Sequence, residues 1–152
     1  MAIDFNFNFP QDLIDQINRM GMLDEIAPKM LDEATPVIER NVKLQLARHR
    51  RTGDMIASVK RTKAKKTKNG GYYAVVRPTG KDNKGVRNME KIAHMEYGTA
   101  KQPSTPVLTK ALHDSEKEVA EKMQKVFDRE VADKGKWKER SGQWMATDDR
   151  WL

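Results

Sequence analysis

The sequence predicts a single α+β domain with N-terminal helices, a small antiparallel β-sheet carrying a lysine-rich hairpin, and a long C-terminal helix packed across that sheet. Three observations lead there. An apolar period of the helical kind runs through two long segments, residues 22–48 and 106–134. Between them lie two short extended stretches separated by Asn69-Gly70, a strong tight-turn signal. The 152 residues suffice for one domain with a real core and are too few for two comfortable ones.

The elements follow in order. Residues 1–10 read as an aromatic arm. Phe5, Phe7 and Phe9 alternate with polar residues, so an extended chain sets all three rings on one face. That face either meets a partner or folds back on its own domain. Residues 11–135 form the domain. Asp12 to Met20 is a short helix with Leu13, Ile14 and Ile17 on one side, ended by Gly21. A second helix runs from Met22 to Arg48 on Ile26, Met30, Ala34, Val37, Ile38 and Val42, with Leu44 and Leu46 widening the stripe. Pro28 reads as a mark of its first turn, and Pro36 as a kink or a division. Arg48, Arg50 and Arg51 close it, either as complements to the helix dipole or as a binding group.

Thr52-Gly53-Asp54 then breaks the chain, and Met55 to Ser58 is one further helical turn. Val59 to Thr67 is extended and heavy in cations: Lys60, Arg61, Lys63, Lys65 and Lys66, with Lys68 just beyond. Tyr72 to Val76 has the strongest strand composition in the chain, and Pro78, Gly80 and residues 81–85 form a loop. The lysines fit three roles: guards of a sheet edge, a docking surface, or direct contacts to DNA. Met89 to Tyr97 is a short helix, and Gly98 after it needs positive φ. Ser104 or Thr105 caps the last helix, with Pro106 at its first position. Glu96 accepts backbone N–H groups around the glycine turn.

The last helix carries Leu108, Ala111, Leu112, Ser115, Val119, Met123, Val126, Phe127 and Val131 on one side and stops at Gly135. Glu118–Lys122 and Glu121–Lys125 are spaced for ion pairs along its outer face. Residues 136–152 form a tail in which Trp137, Trp144 and Trp151 stand seven apart. Tryptophans in a polar tail favour anchoring into a partner or an adjacent subunit over packing at home.

Charge is distributed unevenly. Residues 1–39 hold two basic and eight acidic groups, a net −6. Residues 40–68 hold eleven basic groups against Asp54 alone, a net +10. The remainder brings the chain to +7. A segment this basic suits phosphate backbones, or an acidic surface such as the first third of an identical neighbour. There is no cysteine, no apolar run long enough for a membrane span and no basic leader of the secretory kind. His49 and His94 are lone, which argues against a metal site. No nucleophile elbow, phosphate loop, paired-histidine or zinc pattern occurs. The expectation is a protein that is not an enzyme and carries no cofactor.

Two stretches carry a resemblance. Glu96-Tyr97-Gly98-Thr99, a polar loop, then Gln102-Pro103-Ser104-Thr105-Pro106-Val107-Leu108 with Ala111 is one. Thr52-Gly53-Asp54-Met55-Ile56-Ala57-Ser58-Val59 is the other. In order and spacing they resemble the bacteriophage tail-component, or tail-completion, family typified by the tenth gene product of the coliphage Hong Kong 97. The likeness covers roughly residues 30–130. Val107 stands where the family usually has Phe and Met55 where it usually has Leu, and both keep an apolar side chain. The resemblance implies a virion protein at the neck, assembled in the host bacterial cytoplasm. It implies a homo-oligomer, a closed hexameric ring around the DNA path. Its partners are then the tail tube or tail terminator protein and the head–tail connector, adaptor or stopper, with non-specific contact to genomic DNA and no membrane. The alternative function is a small basic DNA-binding protein that uses the 40–68 patch.

Overall fold

Two helices lying side by side form the body of the molecule. The computed structural model describes residue 15, residues 21–49 and residues 53–141, with side chains through residue 132. The elements are α1 (Leu23–Ala47), α2 (Asp54–Ser58), β1 (Val59–Arg61), β2 (Lys65–Lys66), β3 (Tyr72–Tyr73), β4 (Val76–Pro78), α3 (Asn88–Tyr97) and α4 (Val107–Ser141). The fold class is α+β, as the sequence predicts. The phenylalanine arm (Phe5, Phe7, Phe9), the Asp12–Met20 helix apart from Asp15, Arg50, Arg51, Thr52, Trp144 and Trp151 lie outside the described residues. Trp137 falls on the backbone of α4.

The long helices run antiparallel. Lys29 on α1 pairs with Glu130 on α4 at 2.6 Å, while Arg40, three turns further along α1, pairs with Glu118. Between them Ile26, Met30, Ala34 and Val37 interlock with Val119, Met123, Val126 and Phe127 in one buried cluster. A second cluster joins Val42 and Leu46 of α1, Val59 of β1, Ile92 of α3, and Val107, Leu108 and Ala111 of α4. Each fully buried side chain of this size contributes roughly 1.5–3 kcal/mol. A polar layer lies between the clusters. Asn41 Nδ2 donates to Ser115 Oγ at 2.8 Å, Ser115 Oγ donates to the Ala111 carbonyl at 2.6 Å, and Gln45 Nε2 donates to Asp114 Oδ2 at 2.7 Å. Since these groups meet only at one stagger of the two helices, they fix the register that the apolar stripes alone leave loose.

Several details depart from the sequence reading. Pro28 and Pro36 both stand inside α1, which is neither started by the first nor divided by the second. Packing against α4 outweighs the roughly 3 kcal/mol that an interior proline costs. Because α1 ends at Ala47, Arg48 is its C-cap and its last turn carries no basic residue. Leu44 is 59% exposed and is not part of the stripe. α4 continues through Gly135 to Ser141, so the tail expected from residue 136 begins as helix. A helical glycine costs only about 1 kcal/mol relative to alanine. Glu118 pairs across to Arg40 of α1 rather than along its own helix with Lys122. α4 lies chiefly along α1 and meets the strands through Val59 of β1 in the second cluster, while the strands rest mainly on α1.

The extended region is two ladders, not one. β1 pairs with β4, Val59 opposite Pro78 and Arg61 opposite Val76; β2 pairs with β3, Lys65 opposite Tyr73 and Lys66 opposite Tyr72. Thr62 bridges the gap, its N–H donating to the Val75 carbonyl at 2.8 Å and its Oγ1 accepting from Val75 N at 3.0 Å. Ala64 N donates instead to Asp32 Oδ1 of α1, at 3.0 Å. That bond draws the middle of the strand toward the helix and accounts for the interruption. Pro78, expected in a loop, ends β4 and is buried.

Candidate functional site

The first of the two stretches, residues 96–111, forms the joint between α3 and α4. α3 exposes Tyr97 and buries Ile92 and Glu96. The Glu96 carboxylate accepts from Leu108 N at 2.8 Å, from Thr109 N at 3.0 Å and from the Thr109 hydroxyl. Leu108 and Thr109 are the second and third residues of α4, whose N–H groups have no partner within the helix. Glu96 therefore caps α4 from another element. The expectation that Ser104 or Thr105 supplies the cap is corrected. Ser104 Oγ donates to the Glu96 carbonyl at 2.6 Å and Thr105 N donates to the Met95 carbonyl at 2.6 Å, so both tie the loop back to α3. Pro106 directly precedes α4 rather than opening it.

Gly98 ends α3 with φ 75° and ψ 178°, a combination open essentially to glycine alone. A Cβ there would stand 2.8 Å from Ser104 N and 2.9 Å from the Gln102 carbonyl oxygen. Thr99 and Gln102 close the turn by exchanging backbone hydrogen bonds of 2.8 and 3.2 Å, with the exposed Pro103 following. The second stretch behaves alike. Gly53 takes φ 89° before α2, and Ser58 Oγ donates to the Met55 carbonyl at 2.7 Å. Val107 is buried, and Met55 packs against the same apolar cluster.

The hairpin divides its cations between two faces. Toward α1, Arg61 pairs with Glu39 at 3.0 Å and Lys66 with Asp24 at 2.8 Å. Tyr72 also donates its hydroxyl to Asp24, at 2.7 Å, and Lys66 lies 5.7 Å from the centre of its ring. Hydrogen bonds from Lys66 and then Tyr72 hold the Asp24 carboxyl below the usual range, and the same contact raises Lys66 and Tyr72. Lys43, then Arg61, lowers Glu39. Asp24, Asp32 and Glu39 thus form an acidic line on α1 that holds the hairpin at three points. Their spacing of eight and seven residues, about two helical turns each, was a signal available in the sequence that points to one face. Lys60, Lys63, Lys65 and Lys68 are exposed and make no ion pair among the described residues. Arg77 and Tyr73, which sequence reasoning left out, share that exposure.

Elsewhere the loop after β4 is tied by Asp82, which accepts from Lys84 N and Val86 N at 2.9 Å each and pairs with Lys91; the lysine is the main cause of its lowered pKa. Among the described residues no group of three or more His, Cys, Asp or Glu side chains is placed to hold a metal ion, and no helix is long and apolar enough to cross a membrane. No protein-family model, curated protein or solved structure matches this chain.

Proposed function

We propose that the chain is a structural virion protein of a tailed bacteriophage, a tail-completion component of the neck. Identical subunits form a closed ring that joins the tail tube, or its terminator, to the adaptor or stopper of the head connector around the DNA path. What supports this reading is the part played by the residues of the two signature stretches. Gly53, Ser58, Glu96 and Gly98 fix turns and cap a helix. They serve geometry, which a ring subunit needs because every copy must present the same surfaces to its neighbours. The subunit is assembled in the host bacterial cytoplasm and works without catalysis or cofactor.

The test is location in the particle. A gold-labelled antibody against the chain, applied to particles of a tailed phage that encodes it, is expected to mark the junction of head and tail. Label on the capsid shell, on the distal tip or on no part of the particle would refute the neck assignment.

A further inference from the structure

Between Val59 and Pro78 the chain has seven cations and no carboxylate. Two of the cations, Arg61 and Lys66, are held by α1. Five are left, all exposed. Pairing register places the key ones. Val59 is buried and Arg61 reaches Glu39, so alternation turns Lys60 and its partner Arg77 to the opposite face. Lys66 and Tyr72 both reach Asp24, so Lys65 and its partner Tyr73 turn outward as well. Lys60 set directly opposite Arg77 is a like-charge cross-strand pair, an arrangement that weakens a sheet. Guarding an edge accounts for a lysine on either strand. It does not account for two cations facing each other with no carboxylate between them.

We propose that this outward face, formed by Lys60, Lys65, Arg77 and Tyr73 and flanked by Lys63 and Lys68, binds the sugar-phosphate backbone of duplex DNA without reading its sequence. Charge complementarity selects the occupant. Lysine is depleted in protein–protein interfaces, whose centres are apolar and aromatic, whereas this face is almost wholly cationic. A single-strand binder stacks successive bases on several rings, and Tyr73 is the one exposed ring of the hairpin's two tyrosines. On a duplex, lysines act as point charges on phosphates, and the Tyr73 hydroxyl can donate to a phosphate oxygen. From Lys60 to Lys65 the chain reaches at most about 17 Å. That length covers roughly five phosphates of one strand at about 3.4 Å of axis each. The inference assigns to one face and its residues a DNA contact that the sequence left unplaced, and it does not rest on the neck reading.

The test titrates the full-length protein against a fluorescent duplex of random sequence, about two helical turns long, from about 50 to 200 mM salt. Wild-type protein is expected to bind with a steep salt slope. Replacing Lys60, Lys65 and Arg77 together by Gln should lower affinity at least about tenfold and flatten the slope by about three units, close to 0.9 for each cation removed. The pair Arg61→Gln and Lys66→Gln, on the inner face, should keep most of the binding. Lys60→Glu should turn the repulsive pair into an ion pair with Arg77, raise the Tm and still weaken binding. No duplex binding by the wild type, an outer-face variant with wild-type affinity and slope, or equal losses from the two faces would overturn the proposal. So would tighter binding of labelled polyglutamate than of duplex, which would point to an acidic protein surface. Duplex binding by a protein that forms no ring would sustain this inference and sink the neck reading; a ring that ignores duplex would do the reverse.

Discussion

Glu96 does for α4 what a helix ordinarily does with a residue of its own. Its two oxygens accept from Leu108 N, Thr109 N and the Thr109 hydroxyl, twelve and thirteen residues away. Removing the carboxylate leaves buried N–H groups unpaired, so Glu96→Ala should lower stability by about 1–3 kcal/mol in urea unfolding. Glu96→Gln, which keeps one acceptor oxygen, should lose less. Equal losses would mean that packing, not capping, is what Glu96 supplies. Gly98→Ala faces both a strained backbone and contact with two backbone atoms, and a loss of about 2–4 kcal/mol is expected from the two together. An unchanged Tm would contradict the joint as described. Gly98 was legible in the sequence because its requirement is local, an aromatic followed by Gly-Thr at a helix end. The partner of Glu96 was not, because a cap supplied from another element leaves no mark at the helix it caps. Ser104 and Thr105 looked like caps for the converse reason: their side chains suit the task, and tertiary geometry gave them another.

The long helices were legible because an apolar period over many residues is a redundant signal. Ile26, Met30, Ala34 and Val37 hold their places whatever happens at one position. The edges of the stripe were less certain to read, as Leu44 and Leu46 show. Leu46 is 2% exposed and Leu44 is 59% exposed. Leu46→Ala should therefore cost about 2–5 kcal/mol, while Leu44→Ala should stay within about 0.5 kcal/mol of wild type; comparable losses would show that Leu44 is covered by another surface. The hairpin was read as a unit, but its break was not, since the bond from Ala64 N to Asp32 depends on a helix 32 residues away in sequence. The acidic line of α1 also sets a pH response. Asp24 and Glu39 have folded pKa values below their unfolded ones. Such groups contribute stability that is present above the unfolded carboxylate pKa, about 4, and is lost as pH falls through the lower folded value. Glu118, lowered chiefly by its hydrogen bond from Arg40, adds to the same trend. The Tm should be flat from about pH 7 to 5 and fall below about pH 4, more gently in high salt. A Tm that rises on acidification would contradict the arrangement of these pairs.

At the scale of the molecule, the uneven charge of the chain is partly closed within it. The acidic first third of an identical neighbour was one of two surfaces that suited the basic segment, beside a phosphate backbone, yet Asp24 and Glu39 are engaged by Lys66 and Arg61 of the same chain, and Lys29 and Arg40 are taken by α4. On the hairpin that stands on α1, the charge left facing away from the helix is cationic. Sequence alone showed that the charges were separated along the chain. It could not show which would neutralise each other, because that depends on how a helix and a hairpin lie together. The ring is the central claim of the account, and it belongs to the molecule as a whole. Native mass spectrometry of the full-length protein, freed of nucleic acid, measures it most directly. A dominant closed species of six copies of the 17.5 kDa chain is the result expected. A monomer that persists at every concentration would contradict it.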